Sequence, residues 1–337
     1  MRAQNTIVIS AKNSLIPSSD AETTQIQFIQ TDFETRSVLG KKGTRGMDKL
    51  TGLAIHCMSG LMPVLKEQRD NESDRIGIVL GSAQGSMDSI VRFTYETLAY
   101  DRADYVNPAL FPNTVMNCAA GQSAIWHGLK GPNATLSSGE LSSFAAINYA
   151  ISLLDNGYAD TLIAGGAEEL SEANIAANRA LSKSMGVATK FTEACAFFVV
   201  ETEAVAKRFQ RDVIAEILAI KTGFNPDTSG DDALAALVKN VLEGANKSPK
   251  DIRYVSVAGA WPQTREVELA AVKTIFESNP TTMINEEFIT HGNSVSAQNA
   301  LQISSCLDAL ANNDLGLLLA QDLKGNIGVM LIKGRKL

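Results

Sequence analysis

The chain has 337 residues, 45% of them hydrophobic and 20% charged, with a formal net charge of −7. That length and composition suit a globular protein of one or two packed units. The acidic balance, without a standout run of Lys and Arg, argues against nucleic acid as a partner.

Apolar runs fall far short of the ~20 residues of a membrane span. Met1-Arg2-Ala3-Gln4-Asn5 leads into a strand-like Ile7-Val8-Ile9 without the regions of a signal peptide, so a cytoplasmic protein off the membrane is expected. Cys57, Cys118, Cys195 and Cys306 are widely separated, which fits reduced, small buried side chains. His56, His127 and His291 lack metal-ligand spacing, and neither a metal nor a cofactor is expected.

Strand and helix patterns alternate along the chain, the signature of an α/β architecture. Strands are predicted over 6–10, 75–80, 135–137 and 161–164, with helices over 48–65, 86–100 and 141–156 between them. Further strands are predicted over 194–200 and 213–222, then a helix over 231–245, a strand over 254–257 and a helix over 264–278. A helix over 296–312 and strands over 317–320 and 328–333 close the chain. The two halves, 1–185 and 186–337, follow a similar order with no Pro-, Gly- or Ser-rich linker, so they are expected to pack as one body.

The segment Gly131-Pro132-Asn133-Ala134-Thr135-Leu136-Ser137-Ser138-Gly139-Glu140-Leu141-Ser142-Ser143 reads as a strand, a tight turn and a helix start. With Leu110-Phe111-Pro112-Asn113-Thr114 before it and Ala164-Gly165-Gly166-Ala167-Glu168 after it, it resembles the β-ketoacyl-acyl-carrier-protein synthases. The resemblance spans nearly the whole chain and implies the thiolase fold, two βαβ-type halves in five layers, α-β-α-β-α.

Members of that family place a Cys nucleophile at the turn before the helix, where the dipole and free N–H groups favour its thiolate. Here Glu140 stands there. The family's two catalytic His positions fall on Ala258, in Tyr254-Val255-Ser256-Val257-Ala258-Gly259, and on Asn293, in His291-Gly292-Asn293-Ser294. Its Lys position falls near Phe288, and Gln321-Asp322-Leu323-Lys324-Gly325-Asn326-Ile327-Gly328 replaces a Gly-rich loop. A substitute Ser–His–acid site would need a base beside Ser138 or Ser142. His56 reads instead as a packed side chain, and His127 as one at a subunit contact.

Three roles are open for Glu140: a structural one at the helix N-terminus, closure of a former acyl pocket, and malonyl decarboxylation. The structural role is expected ahead of the other two together, and an ionised Glu would repel a malonyl carboxylate.

The pattern resembles the noncatalytic subunit of type II polyketide synthases, the chain-length factor. It implies a heterodimer with a Cys-containing ketosynthase, an acyl carrier protein docking mainly on that partner, and an acyl channel at the interface. Met87, Ile90 and Thr94, on one face of a helix, are expected to line the channel. Leu110, Phe111, Cys118 and Trp126 are expected at an interface burying well over ~2,000 Å². The alternatives are an acyl-thioester hydrolase or decarboxylase using Glu140, and a self-associating structural homologue.

Overall fold

The computed structural model describes residues 5–17, 25–276, 282–286 and 291–335. The chain begins with β1 (Ile7–Leu15), a short β2 (Gln27–Ile29) and the helices α1 (Thr35–Leu39), α2 (Lys49–Ser59) and α3 (Met62–Glu72). It continues through β3 (Ile76–Gly81), α4 (Met87–Ala99), α5 (Cys118–His127), β4 (Asn133–Leu136) and α6 (Ser142–Asp155). Next come β5 (Thr161–Glu168), α7 (Glu172–Met185), β6 (Lys190–Thr192), β7 (Ala194–Thr202) and α8 (Glu203–Arg208). Then follow β8 (Ala215–Phe224), α9 (Asp232–Gly244), β9 (Ile252–Val257) and α10 (Pro262–Phe276). The last elements are β10 (Met283–Glu286), α11 (Gln298–Ala309), β11 (Leu315–Gln321) and β12 (Asn326–Gly334).

The single helix expected over 48–65 is two. α2 ends at Gly60 and α3 starts afresh with Pro63 in its first turn. A proline has no N–H to give an earlier turn, and its fixed φ suits a helix start.

Ten strands hydrogen-bond in the order β10-β9-β11-β12-β8-β1-β7-β5-β3-β4. The order contains a repeat, since β4-β3-β5-β7-β1 and β10-β9-β11-β12-β8 have the same succession and the same directions. In each set three strands run parallel, a fourth is antiparallel, and the fifth is antiparallel to the fourth. The sets join where Ile7, Val8 and Ile9 pair with Ile217, Glu216 and Ala215. β7 lies beyond the expected division at 185/186, yet it pairs with β5 and β1 of the first set.

Side chains alternate across these strands, and both faces are buried. On β7, Ala196, Phe198 and Val200 face a central core that also holds Phe144 and Ile147 of α6 and Leu301 and Ile303 of α11. The intervening Cys195, Phe197 and Val199 face an outer core with Leu53 and Met58 of α2 and Ala120 of α5. In the second set Leu318, Met330 and Ile332 join the central core, while Leu317, Leu319, Val329 and Leu331 meet α9 and α10. The α6/α11 pair is therefore the middle of five layers, as the resemblance implied.

A buried ion pair braces the first set. Arg211, 3% exposed, binds the fully buried Glu201, and Ser10 and Thr161 also donate hydrogen bonds to that carboxylate. Removing one partner of such a pair leaves an uncompensated charge. Arg211→Ala is expected to lower unfolding free energy by roughly 3–5 kcal/mol in equilibrium denaturant titrations at pH 7.

Candidate functional site

The site forms where loops leave the carboxyl ends of the strands in both sets. Two glycines let α6 start close beneath them. A Cβ at Gly81 would strike the Ser142 carbonyl at 2.5 Å, and one at Gly166 would collide with Ser143 Oγ. The turn ahead of α6 carries Gly139 at φ +59°. Ser142 Oγ donates to the Gly139 carbonyl at 2.6 Å and accepts from Ser138 N–H at 3.0 Å. Glu140 is thereby fixed at the base of a cavity of about 350 Å³, whose walls include Asn178, Trp261, Asn293, Asp322 and Lys324.

Glu140 does not cap α6. Its Oε1 accepts the indole N–H of Trp261 at 2.5 Å and lies 3.5 Å from Asn293 Nδ2, while Oε2 is buried without a partner. Burial, reinforced by Asp322, raises its pKa to about 7 against the opposing pull of the Trp261 and Asn293 hydrogen bonds. The expectation of a carboxylate bonded to backbone N–H groups at a helix start is thus corrected. Its strongest partner comes from the other half of the molecule.

Two more buried carboxyls hold the surrounding loops. Glu168 accepts N–H groups of Ala83 at 2.9 Å and Gln84 at 3.2 Å, and hydroxyls of Ser82 at 3.2 Å and Ser296 at 2.5 Å. It ties the β3–α4 turn to the segment after Asn293. Glu268 accepts Gly259 N–H at 2.8 Å and Gln321 N–H at 2.7 Å, fixing the loop that presents Trp261. Burial raises their pKa values to about 7 and about 8.

Of the three positions matched to the family's catalytic residues from the sequence, Glu140 and Asn293 meet in the cavity wall. Asn293 also donates to the Ala260 carbonyl at 3.1 Å and accepts Val295 N–H at 2.8 Å. Ala258 is 2% exposed, belongs to the central core and stands behind the wall. Trp261 was missed as a site residue. Its only sequence signal was an aromatic three positions past Ala258, and it packs edge-on against Phe191 with ring centroids 5.6 Å apart.

No histidine lines the cavity. His56 packs against Phe33. His127 is buried within its own chain rather than at a subunit contact: its Nε2 lies 3.2 Å from the Ile55 carbonyl, and burial pulls its pKa down to about 4. Phe288 lies outside the described residues. Cys118 is half-buried beside Asn113, and burial pushes its thiol up to about 11, far from a reactive thiolate. Among the described residues no group of three or more His, Cys, Asp or Glu is placed to hold a metal ion. Nor is any described helix long and apolar enough to cross a membrane.

The expected channel and interface residues lie together on another face. Met87 and Ile90 are half-buried and Thr94 is exposed, all on α4. Phe93 packs at a tilt against Phe111, with ring centroids 5.8 Å apart, and Leu110 and Cys118 are half-buried. Phe111 is 58% and Trp126 36% exposed. Tyr95 at 69% and Leu98 at 82% on α4, and Ile125 at 75% on α5, are exposed as well.

This is a thiolase-like fold with a large mixed sheet flanked by helices. The chain belongs to the β-ketoacyl synthase family: the family's "Beta-ketoacyl synthase, N-terminal domain" matches residues 11–202, more than half of the chain. It is 26% identical over 269 residues to 3-oxoacyl-[acyl-carrier-protein] synthase 2 of Staphylococcus aureus, covering 73% of this chain and only 64% of that protein. The enzyme of the same name from Coxiella burnetii is 27% identical over 285 residues, covering 75% of this chain and 67% of that one. The solved structure of the ishigamide ketosynthase/chain length factor matches with a TM-score of 0.85 and 25% identity, over 98% of this chain and 100% of that one. A ketosynthase in complex with its chain length factor from Xenorhabdus doucetiae shares the fold at a TM-score of 0.77 and 16% identity, over 98% of each chain.

A carboxyl whose pKa is higher folded than unfolded stabilises the fold fully below its ordinary value of about 4.5, and that stability is lost as pH rises through about 7. Stability is therefore expected to fall from pH 5 to pH 8. Glu140→Gln should exceed the parent by about 1 kcal/mol at pH 5 and by roughly 3 kcal/mol at pH 8, measured by denaturant unfolding at both pH values.

Proposed function

We propose that this chain is the noncatalytic, chain-length-factor subunit of a type II polyketide ketosynthase, acting in the cytoplasm beside a Cys-containing ketosynthase partner. The observation that carries this reading is Glu140 at the nucleophile's position, its carboxyl held by Trp261. A carboxylate cannot accept an acyl group as a thiolate does, and Ala258 and Asn293 offer no imidazole for an enolate oxygen. The match to the ishigamide ketosynthase/chain length factor, at 25% identity, points the same way.

The apolar face of α4 and α5 supports a partner. Tyr95, Leu98, Phe111, Ile125 and Trp126 are large exposed apolar side chains suited to a dimer seam. In this reading the ketosynthase subunit covers them, and an acyl carrier protein docks mainly on that subunit. Met87, Ile90 and Thr94 then border the growing chain, with Leu110 and Cys118 beside the seam.

Native mass spectrometry of the tagged chain purified from its own host tests the pairing. A one-to-one complex with a Cys-containing ketosynthase is expected. A homodimer or a monomer would overturn the proposal in favour of a self-associating homologue. Ile125→Asp is expected to weaken the complex by about 30-fold or more, read by sedimentation. In the reconstituted complex, Met87→Ala or Ile90→Ala should lengthen the product, and unchanged product lengths would remove these residues from the channel.

A further inference from the structure

No continuous run of Lys and Arg stands out in the sequence, yet the stretch from Arg36 to Met47 is one-sided. It holds four cations, Arg36, Lys41, Lys42 and Arg45, and no acid, on a chain of net charge −7. All four side chains are exposed. Among the described residues none of the four lies within ion-pair distance of a carboxylate, whereas Lys49 and Arg92 are paired with Glu193 and Asp88. The acids that flank the stretch in sequence are engaged as helix caps. Glu34 accepts Ser37 N–H at 2.6 Å for α1, and Asp48 accepts Thr51 N–H at 2.7 Å for α2.

The path of this loop is specified. Gly40 and Gly43 bracket the two lysines, each at φ +85°, a region other residues enter only under strain. Thr44, 1% exposed, donates its hydroxyl to the Gly40 carbonyl at 2.6 Å and closes the turn. Asn113 donates to the Gly46 carbonyl at 2.8 Å, which ties the loop to the segment carrying Leu110 and Phe111. The loop also rests on α5, so closely that a Cβ at Gly43 would come within 3.3 Å of the Trp126 ring. The turn with Lys41 and Lys42 therefore borders the exposed apolar side chains of the α4/α5 face.

A partner that covers Trp126 brings its own rim up to this turn. Cations partly desolvated there without counter-charges cost free energy, so the rim that fits is acidic. Charges at such a border speed the encounter of the right partner and penalise one of like charge.

Building on the functional reading above, we propose that this loop is the charge-selecting rim of the α4/α5 seam, and that it takes an acidic border on the ketosynthase subunit. Lys41, Lys42 and Arg45, on either side of Gly43, meet carboxylates of that subunit, and Arg36 extends the positive field.

The test uses the complex as it is purified. A water-soluble carbodiimide joins a lysine amine to a carboxylate in direct contact, and peptide mass spectrometry locates the amide. Links from Lys41 or Lys42 to Asp or Glu of the ketosynthase subunit are expected. The double variant Lys41→Glu/Lys42→Glu should weaken the complex about tenfold at about 50 mM salt, read by sedimentation, with the difference shrinking at about 500 mM. Lys247→Glu/Lys250→Glu, the same charge change at exposed positions after α9, should leave affinity within about twofold of the parent. A one-to-one complex that lacks such links, or that tolerates the reversal as it tolerates the control, would overturn the rim and leave the heterodimer standing. Failure of any ketosynthase to associate would overturn both. Links and salt-sensitive binding that appear only with an added acyl carrier protein would assign the loop to that partner and overturn the proposal too.

Discussion

A carboxyl group buried where the two halves meet constrains everything around it. Glu140 sits on the turn before α6, a helix packed in the central core against both sets of strands, and it must be neutralised or hydrogen-bonded to stay there. The Trp261 indole and, at longer range, the Asn293 amide supply partners from the second half. Both donors are neutral, so they hold the carboxyl without creating an ion pair. An imidazole or thiolate chemistry would need a different set of neighbours, and the loop carrying Trp261 is fixed by backbone hydrogen bonds to Glu268.

The same device recurs around the site. Glu168 at the end of β5, Glu169 just beyond it and Glu268 within α10 are buried and accept backbone N–H groups of neighbouring segments. Each adds rigidity at the cost of desolvation, which is why their pKa values rise together. These buried carboxyls thus hold the loops around the site in place. What remains chemically available is a cavity wall of Asn, Trp, Asp and Lys, with an acid tied to an indole.

Much of this was legible in the chain. Short apolar runs bounded by turn residues located the ten sheet strands except β10, whose four residues Met283–Glu286 form an exposed edge with no alternation to read. The topological repeat was invisible at residue level, because hydrogen-bond register, not side-chain identity, carries it. Glu140 and Asn293 were found through their motifs and do meet. Trp261 was not, since its role arises from a contact across 121 positions. The α4 pattern could be read as channel or core, and only the fold reveals that Leu98 and Tyr95 lie uncovered.

The central claim is that this site performs no acyl chemistry of its own. Incubating the purified chain with malonyl and acyl thioesters, while following intact mass and thiol release, tests that claim most directly. The account predicts no covalent acyl adduct and no thioester turnover above buffer. Turnover by the chain alone that disappears in Glu140→Gln would contradict it and make Glu140 a catalytic base.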